Sequence, residues 1–216
     1  MKFKILLIIA LPLFLNNVFS QKIDDLFDSK TETKITWLGI DYSHVQLIGD
    51  FSQFGGAGSN TAEKIRDVYF PAWNDFVYKE AAKYNVKKML RHSDLQIDLD
   101  MIAKINENAD VDKLETTKSI EFTEELLKSF IDDYKVSEIE GLGVLFITEY
   151  MNKNKQNAVY HYIVINNKTK ELLLHERING KCGGFGLKNF WARTFYNAFL
   201  YVEKNNKKYK NKYVVK

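Results

Sequence analysis

Apolar residues along this chain are spaced either as in β-strands or as in α-helices, and each spacing predicts the corresponding kind of element. Residues 34–41 are apolar on both faces of an extended segment. One face carries Ile35 and Trp37, and the other carries Leu38 and Ile40. This pattern predicts a first strand that is buried on both sides.

Two further extended segments are predicted. Residues 45–48 form a short apolar piece that predicts a second strand. Residues 95–101 alternate apolar and polar positions, and Asp98 and Asp100 share the polar face. That alternation predicts a strand with one solvated face.

Helical spacing of apolar residues appears in three places, which predicts main helices at residues 65–83, 122–134 and 187–202. Ser59, Asn60 or Thr61 can cap the first of them. Pro71 interrupts that first helix. Either the helix kinks near Asp67, or a second helix begins with Pro71 in its first turn.

Three consecutive strands joined by polar turns are predicted at residues 142–150, 158–165 and 171–178. The predicted register of the second hairpin is the one that pairs apolar residues with apolar residues. A slip of one residue would turn every side chain to the other face of the sheet. A four-residue loop, Asn167 to Lys170, places Ile165 opposite Leu172 and His161 opposite Glu176. His161 is then a histidine at the edge of the core, bonded by Glu176.

Together these elements predict one mixed α/β (α+β) domain over residues 21–216. A mixed sheet of about five strands ends in a three-stranded antiparallel meander, and three main helices pack against it. The order of elements resembles the α/β domains at the amino terminus of TolB and in CsgG-type envelope proteins. Residues 163–172 look like the strand, turn and strand of those domains, with Lys170 where they usually carry glycine.

Two short segments carry a second resemblance. Residues 37–43 (WLGIDYS) and 183–191 (GGFGLKNFW) are similar to segments of uncharacterised exported proteins of Bacteroidetes-type bacteria. Membership of that family implies export and assigns no activity.

Residues 1–20 have the three parts of a cleavable secretory signal peptide. Lys2 and Lys4 supply positive charge, residues 5–15 form an apolar stretch too short to span a bilayer, and Ser20 is a small residue at the cleavage position. We therefore expect a mature chain that begins at Gln21. Because no cysteine lies there to carry a lipid, we expect a periplasmic or secreted product without a membrane span.

Net charge and cysteine content say little about the function of this chain. Of the 31 basic residues, 29 remain without Lys2 and Lys4, and they nearly balance the 28 acidic ones. The carboxyl-terminal end is rich in lysine from Lys204 onward, a pattern that can touch phosphate or anionic lipid and is more often a solvated helix end. Cys182 is the single cysteine of the chain, which excludes an intrachain disulfide.

The first candidate chemistry is at the end of the first strand, where Asp41, Ser43 and His44 supply the three residue types of a hydrolytic triad. Neighbouring residues of an extended chain point to opposite faces, so Ser43 and His44 meet only if the strand ends between them. The chain also lacks the Gly-x-Ser-x-Gly turn of many hydrolases. The pattern therefore favours a structural role at the strand end.

Metal binding has weaker support. The four histidines are scattered and show no HExxH or Cys–His spacing. Asp98 and Asp100 could hold a hard cation from one strand face, although a solvated face needs no such explanation.

The glycine-rich segment before the last helix is the best candidate for ligand binding, because a helix amino terminus presents free N–H groups. Its candidate residues are Gly183, Gly184, Gly186, Lys188, Asn189 and Arg193. The spacing matches neither phosphate-binding fingerprint. The structural interpretation is a sharp turn in which Phe185 fills the core, and the loop from Gly55 to Ser59 receives the same interpretation.

The sequence favours a non-enzymatic exported protein, a binding or assembly component of the cell envelope that contacts a protein partner. No cofactor, no metal and no nucleic acid are expected. The alternative is a hydrolase or small-ligand-binding protein with its site near Asp41, Ser43, His44 and residues 183–189. A concave pocket that joins those residues would favour the alternative, and a flat surface would favour the first class.

Overall fold

The computed structural model describes residues 22–52 and 60–214. The signal peptide, the cleavage position at Gln21 and the loop from Gly55 to Ser59 lie outside the described residues. Their assignments remain predictions.

The described strands form one mixed sheet, which confirms the predicted mixed α/β class. The strands are β1 (Ile35–Asp41), β2 (Gln46–Ile48), β3 (Gln96–Ile97), β4 (Glu115–Thr116), β5 (Leu142–Asn152), β6 (Asn157–Asn166) and β7 (Leu172–Lys181). Each of the strands β1 to β4 is parallel to the strands with which it pairs. Strands β5, β6 and β7 form an antiparallel meander.

Strands β1 and β2 lie end to end along one edge of β5. β1 pairs with Leu142 to Ile147, and β2 pairs with Tyr150 to Asn152. β3 and β4 continue this arrangement, because β3 pairs with β1 and β4 pairs with β2. The described strands therefore occupy five positions across the sheet.

The described helices are α1 (Ile23–Phe27), α2 (Ala62–Lys64), a π-helix (Ile65–Tyr69), α3 (Phe70–Asn74), α4 (Phe76–Lys79), α5 (Val86–Leu90), α6 (Asp100–Glu107), α7 (Val111–Leu114), α8 (Glu124–Asp132) and α9 (Gly186–Tyr213). One face of the sheet packs against α9, α5 and the helices of residues 62–79. The other face packs against α6 and α8. Both faces of β1 are buried as a result, as its apolar pattern predicts. Among the described helices, none is both long and apolar enough to cross a bilayer.

A bulge near Gly39 corrects the predicted faces of β1. The pairing of β1 with β5 shifts between Trp37 and Gly39. Ile40 then packs in the same cluster as Trp37, while Leu38 packs in the other cluster. The backbone of Gly39 has φ +113°, and an added Cβ would lie 2.8 Å from the Asn74 side chain, so glycine is required here.

The Pro71 interruption takes the form of a π-helix followed by a new α-helical segment. The π-helix covers Asp67, and α3 begins at Phe70 with Pro71 in its first turn. Because proline has no N–H, a regular α-helix would leave one upstream carbonyl without its donor. The wider turn of the π-helix accommodates that missing bond.

The strand predicted at residues 95–101 is wrong for most of its length. Only Gln96 and Ile97 form a strand, and α6 begins at Asp100. The Asp98 side chain accepts a hydrogen bond from the Asp100 amide at 3.0 Å, which favours a turn into the helix. Asp98 and Asp100 therefore do not share a strand face.

The predicted hairpin register holds for its first pair only. Ile165 lies opposite Leu172 as predicted, but the pairing then shifts, and Val164 lies opposite Leu174. His161 consequently lies opposite Arg177 rather than Glu176. A single extra residue in β7, Leu173, moves every later side chain of that strand to the other face.

Candidate functional site

The break between β1 and β2 is built by buried side chains. Asn74 binds the amide and carbonyl of Ile40 at 2.7 and 2.9 Å. Asn106 accepts from the Tyr42 amide at 2.7 Å and donates to the Ile40 carbonyl at 3.0 Å. These bonds satisfy backbone groups that would otherwise be unpaired when the chain leaves the sheet. Ser43 and His44 are held in the resulting turn.

Asp41 is fully buried at this break and accepts three hydrogen bonds. Its Oδ1 accepts from the Ser43 amide at 2.7 Å and from the Ser43 hydroxyl at 2.6 Å. Its Oδ2 accepts from the Tyr134 hydroxyl at 2.5 Å. Burial, and then the Asp41 carboxylate, raises the pKa of Tyr134 well above its ordinary value. Tyr134 therefore remains a neutral donor that ties α8 to the strand end.

The three residues of the hydrolytic triad lie together at this point. Their hydrogen bonds do not run from Ser43 through His44 to Asp41, which is the arrangement that activates a serine. The Ser43 hydroxyl donates to Asp41 directly. The His44 ring is exposed and stacks on Phe130, with centroids 3.8 Å apart and planes at 9°. Within the described residues, no hydrogen bond joins Ser43 to His44. A general base must reach the nucleophile's proton, so this arrangement gives little support for hydrolysis.

Ser43 and His44 line a cleft of about 950 Å³ between the sheet, α6 and α8. Its walls are mainly apolar and include Met101, Ile105, Phe122, Leu126, Phe130 and Ile139. Exposed side chains of both charges surround the mouth. They include Lys104, Lys118, Lys135, Asp110, Asp133 and Glu138. The cleft lies beyond the carboxyl ends of the parallel strands β1 and β3, where ligands bind in open α/β sheets.

One wall of the cleft is residues 117–123, which we call the strap. The Gln46 side chain clamps it, since its Nε2 donates to the Ile120 carbonyl at 2.7 Å and its Oε1 accepts from the Ile120 amide at 2.6 Å. The Phe122 amide donates to Glu149 at 3.3 Å. The strap presents Ile120 and Phe122 to the cleft, so Gln46 and Glu149 hold this wall in place.

Glu149 lies behind the strap at a bulge in β5 and is 1% exposed. Arg177 donates to both of its carboxylate oxygens, at 2.7 and 3.0 Å, and His161 binds Oε2 at 2.9 Å. Burial alone would raise the pKa of Glu149, but the hydrogen bonds from His161 and Arg177 outweigh burial and lower it to about 2. Glu149 is therefore ionised at neutral pH.

The charge on Glu149 fixes the proton on one nitrogen of His161. A carboxylate only accepts, so His161 must donate through Nε2. The Nδ1 of His161 and the Nε2 of His175 lie 2.7 Å apart and share a hydrogen bond. The half-buried His175 is thus linked through His161 to the carboxylate that holds the strap.

His175 should make the protein less stable as the pH falls below about 6.5. Burial, and then the neighbouring His161, lowers the pKa of His175 in the folded protein, although Glu124 and Glu176 oppose that effect. The unfolded chain therefore binds a proton first, and stability is lost as the pH falls towards the pKa of His175 in the folded protein.

Thermal unfolding between about pH 7.5 and 5 should show a smaller decline of the unfolding temperature for His175→Gln than for the parent. His44→Gln, at an exposed histidine, is the control. Equal declines in all three proteins would contradict this expectation.

The glycine-rich segment lies apart from the cleft, because none of its residues from Gly183 to Arg193 lines it. Phe185 is 88% exposed, so the prediction that it fills the core is wrong. Gly184 and Gly186 have positive φ and carry the turn, as predicted. Lys188 lies over the Phe76 ring at 4.7 Å, which gives it a structural contact. The two predicted site regions are not joined into one pocket.

Metal and thiol chemistry have no clear support in the structure. Within residues 22–52 and 60–214, no three histidine, cysteine or acidic side chains are close enough to hold a metal ion. Cys182 is half-buried, and burial raises the pKa of its thiol to about 12. Because the thiolate is the reactive form, Cys182 should react slowly at neutral pH.

The prediction from sequence missed Glu149, Gln46 and Tyr134. One signal was available, since Glu149 is the single charged residue within the apolar run 142–151. A carboxylate in a buried strand needs partners. Its partners could not be found from the sequence, because the bulge in β7 that places Arg177 beside it leaves no mark in the pattern.

Comparison with protein families, with curated proteins and with solved structures found no match. The resemblances to exported Bacteroidetes-type proteins and to TolB or CsgG-type domains therefore remain predictions. Fold and site define a mixed α/β protein with an apolar cleft at the carboxyl ends of its parallel strands.

Proposed function

We propose that this chain is a non-enzymatic binding protein, exported to the cell envelope, whose cleft holds a small and mainly apolar ligand. The observation that carries the proposal is the concave cleft of about 950 Å³ with apolar walls. Ligand sites are typically concave and apolar with a few polar groups that fix orientation. Ser43 and His44 are the polar groups at the strand end. A ligand's polar end would meet them there.

The charges at the mouth support an apolar ligand over a strongly charged one. Four lysines and five carboxylates line the cleft, so the charges next to a bound ligand nearly cancel, although residues 94–140 as a whole are acidic. The aromatic surfaces of Phe122 and Phe130 give the interior large apolar contacts. Export rests on the amino-terminal pattern alone.

The proposal is tested by titration with a dansyl-labelled undecanoic acid, a fluorescent probe with an apolar chain and a polar end. The parent protein should bind it saturably at one site. Leu126→Glu places a charge on the cleft wall and should weaken binding at least about tenfold. Ser129→Glu adds the same charge on the outer side of the same helix and should bind like the parent.

Both variants are first compared with the parent by thermal unfolding, so that lost binding is not confused with lost structure. Binding of the probe by Leu126→Glu with the parent's affinity would contradict a site in the cleft. The absence of saturable binding to the parent would contradict the proposed ligand class.

A further inference from the structure

The helices α5 and α9 form a strongly basic surface on the face of the sheet opposite the cleft. We call it the basic face and define it by eight exposed side chains, Lys83, Lys87, Lys88, Arg91, Arg193, Lys204, Lys207 and Lys208. Along α9, residues 193, 200, 201, 204, 207 and 208 fall on one outward stripe of the helix. The surface does not depend on the proposed function of the cleft.

Direct contacts make the basic face continuous across the two helices. Lys83 and Arg193 both lie over the Tyr196 ring, at 5.6 and 5.3 Å. Further along, Arg91 donates to the Glu203 carbonyl at 3.1 Å, and Lys88 lies 3.6 Å from the Glu203 carboxylate. Glu203 is the single acidic residue of α9, and Lys88 balances its charge. Lys83 is paired in the same way with Glu80, at 3.7 Å, so the eight cations and these two carboxylates leave a positive excess of six.

Exposed apolar side chains lie among these cations. Leu200 is 41% exposed and Tyr201 is 45% exposed, one turn before Lys204 on the outward stripe of α9. Phe185 is 88% exposed in the loop that leads into α9. Aromatic and aliphatic groups interleaved with lysine suit the boundary of a lipid bilayer, where rings enter the headgroup layer and ammonium groups meet phosphate.

Charge is distributed unevenly between the two faces of the protein. Residues 94–140, which include α6, α7 and α8 around the cleft, contain fourteen acidic and five basic residues. An anionic surface would repel that side and attract the basic face. The protein would then lie with its cleft directed away from the surface.

We propose that the basic face docks on an anionic lipid bilayer, with Tyr201 and Leu200 entering the headgroup layer. Flotation with vesicles tests this proposal at low and moderate salt. Vesicles of phosphatidylcholine and phosphatidylglycerol in equal parts should bind the protein, vesicles of phosphatidylcholine alone should not, and added salt should weaken the binding. Failure to bind the anionic vesicles at low salt would overturn the proposal.

Two pairs of substitutions locate the contact. Lys204→Glu with Lys208→Glu should weaken vesicle binding at least about tenfold. The matched control is Lys155→Glu with Lys168→Glu, which makes the same charge change at exposed turns of the meander and should bind nearly as the parent does. An equal loss in the control would show that net charge alone decides binding and would overturn the assignment to this face.

A third variant separates a bilayer from other polyanions. Leu200→Ser with Tyr201→Ser removes no charge, and it should weaken vesicle binding while binding to double-stranded DNA, measured as a generic polyanion, stays unchanged. Full vesicle binding by this variant, or binding of the parent to DNA without binding to anionic vesicles, would overturn the proposal. Thermal unfolding of each variant confirms that it is folded.

Discussion

Glu149→Gln should lower the free energy of unfolding by about 3 kcal/mol, because it breaks a buried ion pair and leaves its partners behind. This value is at the lower end of the range for such pairs, since the Arg177 side chain is 41% exposed and can be solvated again. Denaturation by urea at neutral pH measures the effect. Glu171→Gln, the same change at an exposed position, should cost less than about 0.5 kcal/mol.

The pH dependence separates the lost charge from a simple packing defect. The pKa of Glu149 is about 2 in the folded protein. In an unfolded chain a glutamate has a pKa of about 4.3. Its stabilising effect is therefore complete above about pH 4.5 and is lost as the pH falls towards 2. The difference between the parent and Glu149→Gln should shrink over that range. A difference that stays constant down to acid pH would indicate that packing, rather than charge, is responsible.

Trp191→Ala should destabilise the protein by about 3 to 5 kcal/mol, whereas Phe185→Ala should change its stability by less than about 0.5 kcal/mol. Trp191 is 1% exposed and stacks on Phe51 with ring centroids 5.2 Å apart. Phe185 is 88% exposed, so its truncation removes no core contact. Equilibrium unfolding in urea measures both variants. A large loss of stability in Phe185→Ala would show that this ring is packed in solution.

Much of the fold follows from periodicity. The first strand, the three strands of the meander, and helices α8 and α9 occur where the spacing of apolar residues predicts them. Those segments are long, and burial against one or two layers leaves a regular pattern in them. The strand prediction for residues 95–101 is wrong because seven alternating residues are too few to exclude a turn. The side chain of Asp98 then directs the chain into a helix.

The candidate site could be predicted only in part. The sequence places Asp41, Ser43 and His44 near one another, and in the structure Ser43 and His44 line the cleft while Asp41 is buried beside them. It could not indicate that Ser43 donates to Asp41 while His44 stacks on Phe130, because Phe130 is far away along the chain. The separation of the cleft from residues 183–189 is likewise a property of the packed layers.

The positions of β1, of the three meander strands and of α8 and α9, the burial of β1 on both sides and the absence of an intrachain disulfide follow from the amino-acid pattern alone. Which side chains meet depends on how the layers and strands pack together. One bulged residue in a strand, as at Leu173 or near Gly39, turns all later residues of that strand to the other face and leaves no mark in the pattern of apolar and polar residues. The bulges at Leu173 in β7 and at Glu149 in β5 place Glu149 beside Arg177 and His161, because cross-strand partners depend on register, and register depends on the whole sheet.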